Sequence, residues 1–169
     1  MNSQQIDLEI SHHQIHLRSG DFNPKNEQWS KEDIIQGAIL TASHVTFDPI
    51  VDGDFAAMVT VSFQHEFTAS KDALRIIKFP FTVVGDLVLS SVPAEHTLLV
   101  SPEEGTYTGY FEICESEEVS EVYYQFTFVS FGGEKEARFV MDDNFGGKKD
   151  ELLICLLYTS DAADDSLRV

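Results

Sequence analysis

Positive charge is scarce in this 169-residue chain: 11 lysines and arginines stand against 29 aspartates and glutamates, a formal net charge of −18. Such an excess argues against nucleic acid and anionic membranes as direct partners, since both are polyanions. It permits a basic protein partner, or solubility alone. Long apolar runs are missing as well, and nothing approaches the ~20 residues of a membrane-spanning helix. The N-terminal MNSQQIDLEI has neither the basic region nor the apolar stretch of a signal peptide, so the cytoplasm is the expected compartment. Catalytic signatures are equally thin. No serine sits in G-x-S-x-G, no motif pairs two carboxylates, and Cys114 lies in a strand beside acidic residues that raise a thiol pKa. The chain reads as no enzyme, and it nominates no cofactor and no metal.

Cysteine is nearly absent too, at two residues, and one belongs to an anomalous end. Residues 155–164, CLLYTSDAAD, resemble an out-of-frame translation of a widely used transposon-end sequencing adapter, so residues 155–169 are expected to be non-native read-through. That segment carries Asp161, Asp164 and Asp165 against Arg168, and without it the charge becomes −16. Cys114 then stands alone, which excludes an internal disulfide and suits a reducing compartment. The rest divides into a domain over residues 1–142 and a loose polar tail over 143–154. At 43% hydrophobic the chain can bury a single core, on the order of two thirds of its unfolded surface.

What is present is organised around residues 28–47, QWSKEDIIQGAILTASHVTF. Ser30 is placed as an N-cap with Asp33 reaching back, and Trp29 and Ile34 have the spacing of a hydrophobic staple. Glu32 and Asp33 suit the positive end of the helix dipole. Gly37 weakens the helix, and residues 44–48 alternate as a strand. One short stapled helix near residues 30–40 is expected as a lid on a β core.

Strands fill the remainder. Ile6, Leu8 and Ile10 share one parity and Ile15 and Leu17 the other, so a β-bulge is expected between Ser11 and Gln14. From Phe55 to Phe67 the apolar residues hold one parity, the cleanest period-2 signal in the chain. Ile77, Phe79, Phe81 and Val83 alternate next, with Pro80 hinting at an edge. Further strands follow near 87–92, 97–100, 106–114, 121–131 and 136–141. About nine strands with one helix predict a mainly β, single-domain antiparallel sandwich.

Few constellations carry chemistry. His12 and His16 share a strand face but lie about 13 Å apart at 3.3 Å per residue, too far to chelate together. Residues 142–150, DDNFGGKKD, fail the calcium-loop pattern, because Gly146 and Leu153 stand where ligands are needed. No strand-to-helix turn presents the same Gly-Gly-Lys-Lys to a phosphate. The acidic clusters remain. Glu115, Glu117, Glu118 and Glu121 crowd one hairpin loop without a lysine or arginine between them. Glu103 and Glu104, with Glu134 and Glu136, are expected at the opposite end. An alternative is a ligand-binding sandwich for calcium, lipid or glycan, with Asp48, Asp52 and Asp54 gathered at one turn.

Leu8-Glu-Ile-Ser11-His-His-Gln14-Ile15, Trp29-Ser30, Gln36-Gly37, Val45-Thr46-Phe47, Phe79-Pro80-Phe81-x-Val83 and Pro102-x-x-Gly105-x-Tyr107 form an ordered set of segments. Together they resemble the competence protein J family, inhibitors of a DNA-entry nuclease. The likeness runs from about residue 6 to 141, and the family's aromatic position is held here by His12. It implies a non-catalytic, immunity-type protein that blocks a cognate nuclease or toxin and touches neither nucleic acid nor membrane directly. The matched positions are structural. The charge argument nominates Glu115, Glu117, Glu118 and Glu121 as the partner-binding loop.

Overall fold

The computed structural model describes residues 3–21, 28–118 and 121–155. In chain order its elements are β1 (Ser3–Ile10), β2 (Ile15–Ser19), α1 (Lys31–Gln36), β3 (Ala38–Leu40), β4 (His44–Phe47), β5 (Phe55–Phe63) and β6 (Ala73–Val83). After these come β7 (Leu87–Ser91), β8 (Ala94–Thr97), β9 (Gly105–Glu115), β10 (Val122–Ser130), β11 (Ala137–Phe139) and β12 (Leu152–Leu153). A seven-stranded sheet runs β1-β5-β10-β9-β6-β11-β12, and a five-stranded sheet runs β3-β4-β2-β7-β8. The expected mainly β sandwich with one short helix is therefore present. Its finer pairing differs from a plain antiparallel meander. Among the described residues twelve strands replace about nine, and β5 and β10 run parallel, with Tyr124 level with Val59.

Phenylalanine fills the space between the sheets. Phe47 of the smaller sheet stacks on Phe111 of the larger, ring centroids 4.0 Å apart and 12° from coplanar. Phe79, Phe81, Phe126 and Phe128 close around them, all fully buried. Each such ring contributes about 1.5–3 kcal/mol through removal from water. Gly109 makes room for this cluster, because a Cβ there would lie 2.7 Å from Phe128 and 2.8 Å from Phe79.

The parity change after Ile10 has a different origin from the expected bulge. His12 and His13 both adopt left-handed backbone (φ 55° and 58°), and Gln14 N–H donates to Ser11 O at 3.3 Å. This is a two-residue turn of the primed kind. It reverses the chain and carries it from β1 in one sheet to β2 in the other. Ser91 Oγ secures it, accepting from Ser11 N–H at 2.8 Å and lying 2.6 Å from Gln14 O.

The capping box forms as the sequence predicts, with Asp33 N–H donating to Ser30 Oγ and Ser30 N–H to the Asp33 carboxylate. Gly37 does more than weaken the helix. Its left-handed φ of 79° ends α1 after six residues. The lid expectation is not met, because Ile34 and Ile35 are 65% and 75% exposed and no staple buries Ile34.

Strand β5 also stops four residues short of Phe67. Gln64 N–H donates to Phe128 O, after which residues 64–72 cross the outer face of the sheet. There Phe67 stacks on Tyr110 at 3.8 Å. Pro80 fits its expected edge: β11 pairs with Ile77 and Lys78, and past Pro80 β6 meets a loop instead of a strand, where Thr82 N–H donates to Ala42 O.

The segment read as a loose tail is tied into the fold. Arg75 continues the inward parity of Ile77, Phe79 and Phe81, level with Ile113 and just inside a register shift between Ala73 and Arg75. Its guanidinium donates to both Asp143 carboxylate oxygens at 3.0 and 3.3 Å, and also to Phe145 O. Burial pushes the Asp143 carboxyl up, but Arg75 and the Gly147 and Phe145 N–H groups outweigh it and hold the pKa below the usual range. Further on, β12 pairs with β11, and the Gln36 amide bonds both backbone groups of Ile154. Cys155 packs on the core, and the rest of the expected read-through lies outside the described residues. Among the described residues, no helix is long and apolar enough to cross a membrane.

Candidate functional site: an acidic sheet end

The nominated glutamates sit where β9 hands over to β10. Ser116 N–H donates to Glu121 O at 2.9 Å, closing the turn. Glu115, Glu117, Glu118 and Glu121 are all exposed around it. Residues 119 and 120, within this loop, lie outside the described residues.

Tertiary structure adds carboxylates that the sequence did not nominate. Ile10 of β1 is level with Phe55 of β5, Tyr124 of β10 with Val59, Val122 with Glu115 of β9, and Cys114 with Ala73 of β6. Five adjacent strands therefore present their corresponding ends together. Glu9, Asp54, Glu121, Glu115 and Asp72 come from those ends in that order. At about 4.8 Å per strand this row is roughly 19 Å long. No local motif could have revealed it, because β5 joins the row only through its parallel pairing with a strand some sixty residues away.

The row stands on a hydrogen-bonded base. Tyr123 O–H donates to Asp72 at 2.7 Å, and Asp72 N–H donates to Ser70 Oγ at 3.1 Å. Ser70 N–H donates to the buried Glu112 carboxyl at 2.8 Å, whose pKa burial raises. A pocket of about 330 Å³ opens between residues 71–74 and the glutamate turn, lined by Lys71, Asp72, Glu115 and Glu117 among others. Among the described residues, no ion pair involves Glu115, Glu117, Glu118 or Glu121. Glu134 and Glu136 differ, since Lys78 and Arg138 neutralise them.

Other chemistry finds little support in the geometry. Burial, then the Glu112 charge, pushes the Cys114 thiol up to about 12, so it is no nucleophile at neutral pH. Asp48, Asp52 and Asp54 do not converge on one centre. Asp48 and Asp52 each lie 3.1 Å from a nitrogen of His13, while Asp54 faces Asp7 and Glu9. His16 packs edge-on against His44 at 5.8 Å. Burial holds both imidazoles down to about 4, with Arg18 adding to it. Among the described residues, no group of three or more His, Cys, Asp or Glu side chains is placed to hold a metal ion. What the site offers is a concentrated display of negative charge.

Comparison with known proteins agrees with this architecture. The fold is similar to the crystal structure of ComJ from Bacillus subtilis, described as an inhibitor of the DNA degrading activity of NucA. The two share 19% identity and a TM-score of 0.61 over 77% of this chain and 96% of the other. It is also similar to the structure of the crocagin biosynthetic gene J product, at 17% identity and a TM-score of 0.51 over 77% of this chain and 99% of that one. No curated protein matches at a significant level. The sequence model of competence protein J matches residues 7–129, and the chain therefore belongs to the competence protein J family.

Proposed function

We propose that this protein is a non-catalytic nuclease inhibitor of the immunity type, which binds a cognate nuclease and occludes its DNA-binding cleft. The observation that carries the reading is the acidic row on five adjacent strand ends, in a family whose Bacillus subtilis member inhibits NucA. A nuclease must hold phosphates with lysine and arginine. A row of carboxylates competes for the same cations without being cleaved. Its field also steers encounter, raising association rates to as much as ~10⁸–10⁹ M⁻¹s⁻¹ at low salt. The action belongs in the cytoplasm, with no direct contact to nucleic acid or membrane and no cofactor.

The test is a purified-pair assay with a candidate cognate nuclease from the same genome. Wild-type protein protects DNA from cleavage. Replacing Glu115, Glu117, Glu118 and Glu121 by lysine slows association about tenfold or more at low salt and flattens its salt dependence. Unchanged kinetics would dismiss the loop. Turnover of any substrate by the inhibitor alone would dismiss the function.

A further inference from the structure

Along one side of the sandwich β1 of the larger sheet runs beside β7 and β8 of the smaller, and a groove of about 750 Å³ opens there. β1 ends the seven-stranded sheet and β8 ends the five-stranded one, so among the described residues each has an edge with no strand partner. The edges are tied at both extremities. Leu99 N–H donates to the Gln4 side-chain oxygen at 2.6 Å, and Ser11 N–H to Ser91 Oγ at 2.8 Å. Between the ties the groove is lined by Asp7, Glu9 and Asp54 together with Phe55, Pro93 and His96, among others, and no lysine or arginine lines it.

An uncovered edge is a template for another strand, and charged side chains commonly protect it from promiscuous pairing. Here the charges are of one sign and stand over a concave, partly apolar floor. They are continuous with the acidic row through Glu9 and Asp54. Such an edge repels acidic strands and accepts basic ones. Asp7 and Glu9 are two residues apart on one face of β1. An added strand would meet them with side chains that are also two residues apart.

We propose that this groove receives an extended segment of the inhibited nuclease, with lysine or arginine at alternate positions, which adds to β1 as a further strand. The proposal rests on the inhibitor reading above. It adds a second, main-chain contact to the electrostatic one.

The test uses fluorescent 15-residue peptides tiling that nuclease, titrated at low salt against the full chain. One tile with alternating basic residues binds. Its affinity falls about tenfold with Asp7→Lys/Glu9→Lys, and it slows amide hydrogen exchange within Ile6–Ile10. Both acids are exposed, and the neutral pair Asp7→Asn/Glu9→Gln gives an intermediate loss if the reversal disturbs folding. The proposal is overturned if a scrambled tile binds equally, if exchange protection appears elsewhere, or if no tile binds while the intact nuclease is inhibited. Absence of inhibition by wild-type protein overturns the functional reading, and this proposal with it.

Discussion

Two glutamate-rich regions have opposite fates in the fold. Around Glu134 and Glu136, strand pairing sets Arg138 level with Lys78, and these two cations take up both carboxylates. At the β9–β10 turn, pairing instead gathers Asp72, Glu9 and Asp54 around Glu115 and Glu121, and adds negative charge to negative charge. The first group spends its charge inside the molecule. The second holds its charge at the expense of self-repulsion. A buried third case, Asp143 with Arg75, marks the limit of full internal pairing.

Breaking that limit gives the largest expected effect. Asp143→Ala leaves the Arg75 guanidinium buried without its partner, and urea unfolding should show a loss of about 3–5 kcal/mol. A loss under 1 kcal/mol would mean that the pair does not hold the C-terminal segment. Next comes the acid sensitivity of the buried histidines, which lies in a different pH range from the carboxylates. His16 and His44 titrate near 4 in the native state against 6.5 when exposed. The unfolded chain therefore takes up protons that the native one refuses. Stability is full above about pH 6.5 and falls as pH drops toward 4, on the order of a few kcal/mol in total. A slope in unfolding free energy that His44→Gln fails to flatten would contradict this.

The smallest effect contrasts the two surface groups directly. Arg138 holds the Glu134 carboxyl below its usual pKa, against the opposing effect of burial and with help from Lys78. Its stabilising contribution is present above the ordinary carboxylate range and is lost as pH falls through the depressed native value. Glu134→Gln should lower Tm slightly at neutral pH and erase that acid-side loss. The four lysine replacements at the β9–β10 turn should leave Tm unchanged or raise it, because they remove repulsion and break no pair. Equal losses at both sites would abolish the distinction between them.

Much of this was legible in the chain. Alternation placed Phe79, Phe81 and Val83 on one inward face, Pro80 marked an edge, and the Ser30–Asp33 capping box fixed the start of α1. These are local signals, carried by the pleat and by bonds between residues three apart. The staple did not form: Ile34 lies within α1 at the expected spacing from Trp29 but stays exposed. Other misses were of a different kind. The turn at His12–His13 and a bulge produce the same parity change, and sequence parity cannot tell them apart. The tail looked loose because nothing in its own residues announces that Arg75, almost seventy positions earlier, turns inward to meet Asp143.

By itself, then, the sequence determined the class of the fold, its family likeness and its surplus of negative charge, all of which depend on composition or on neighbours along the chain. Only the tertiary structure decided where that charge becomes concentrated and which carboxylates Lys78 and Arg75 reach. Period-2 alternation states which face a residue occupies but not which strand lies beside it. The parallel union of β5 with β10, which completes the acidic row, is a contact between distant residues that pairing and packing select together.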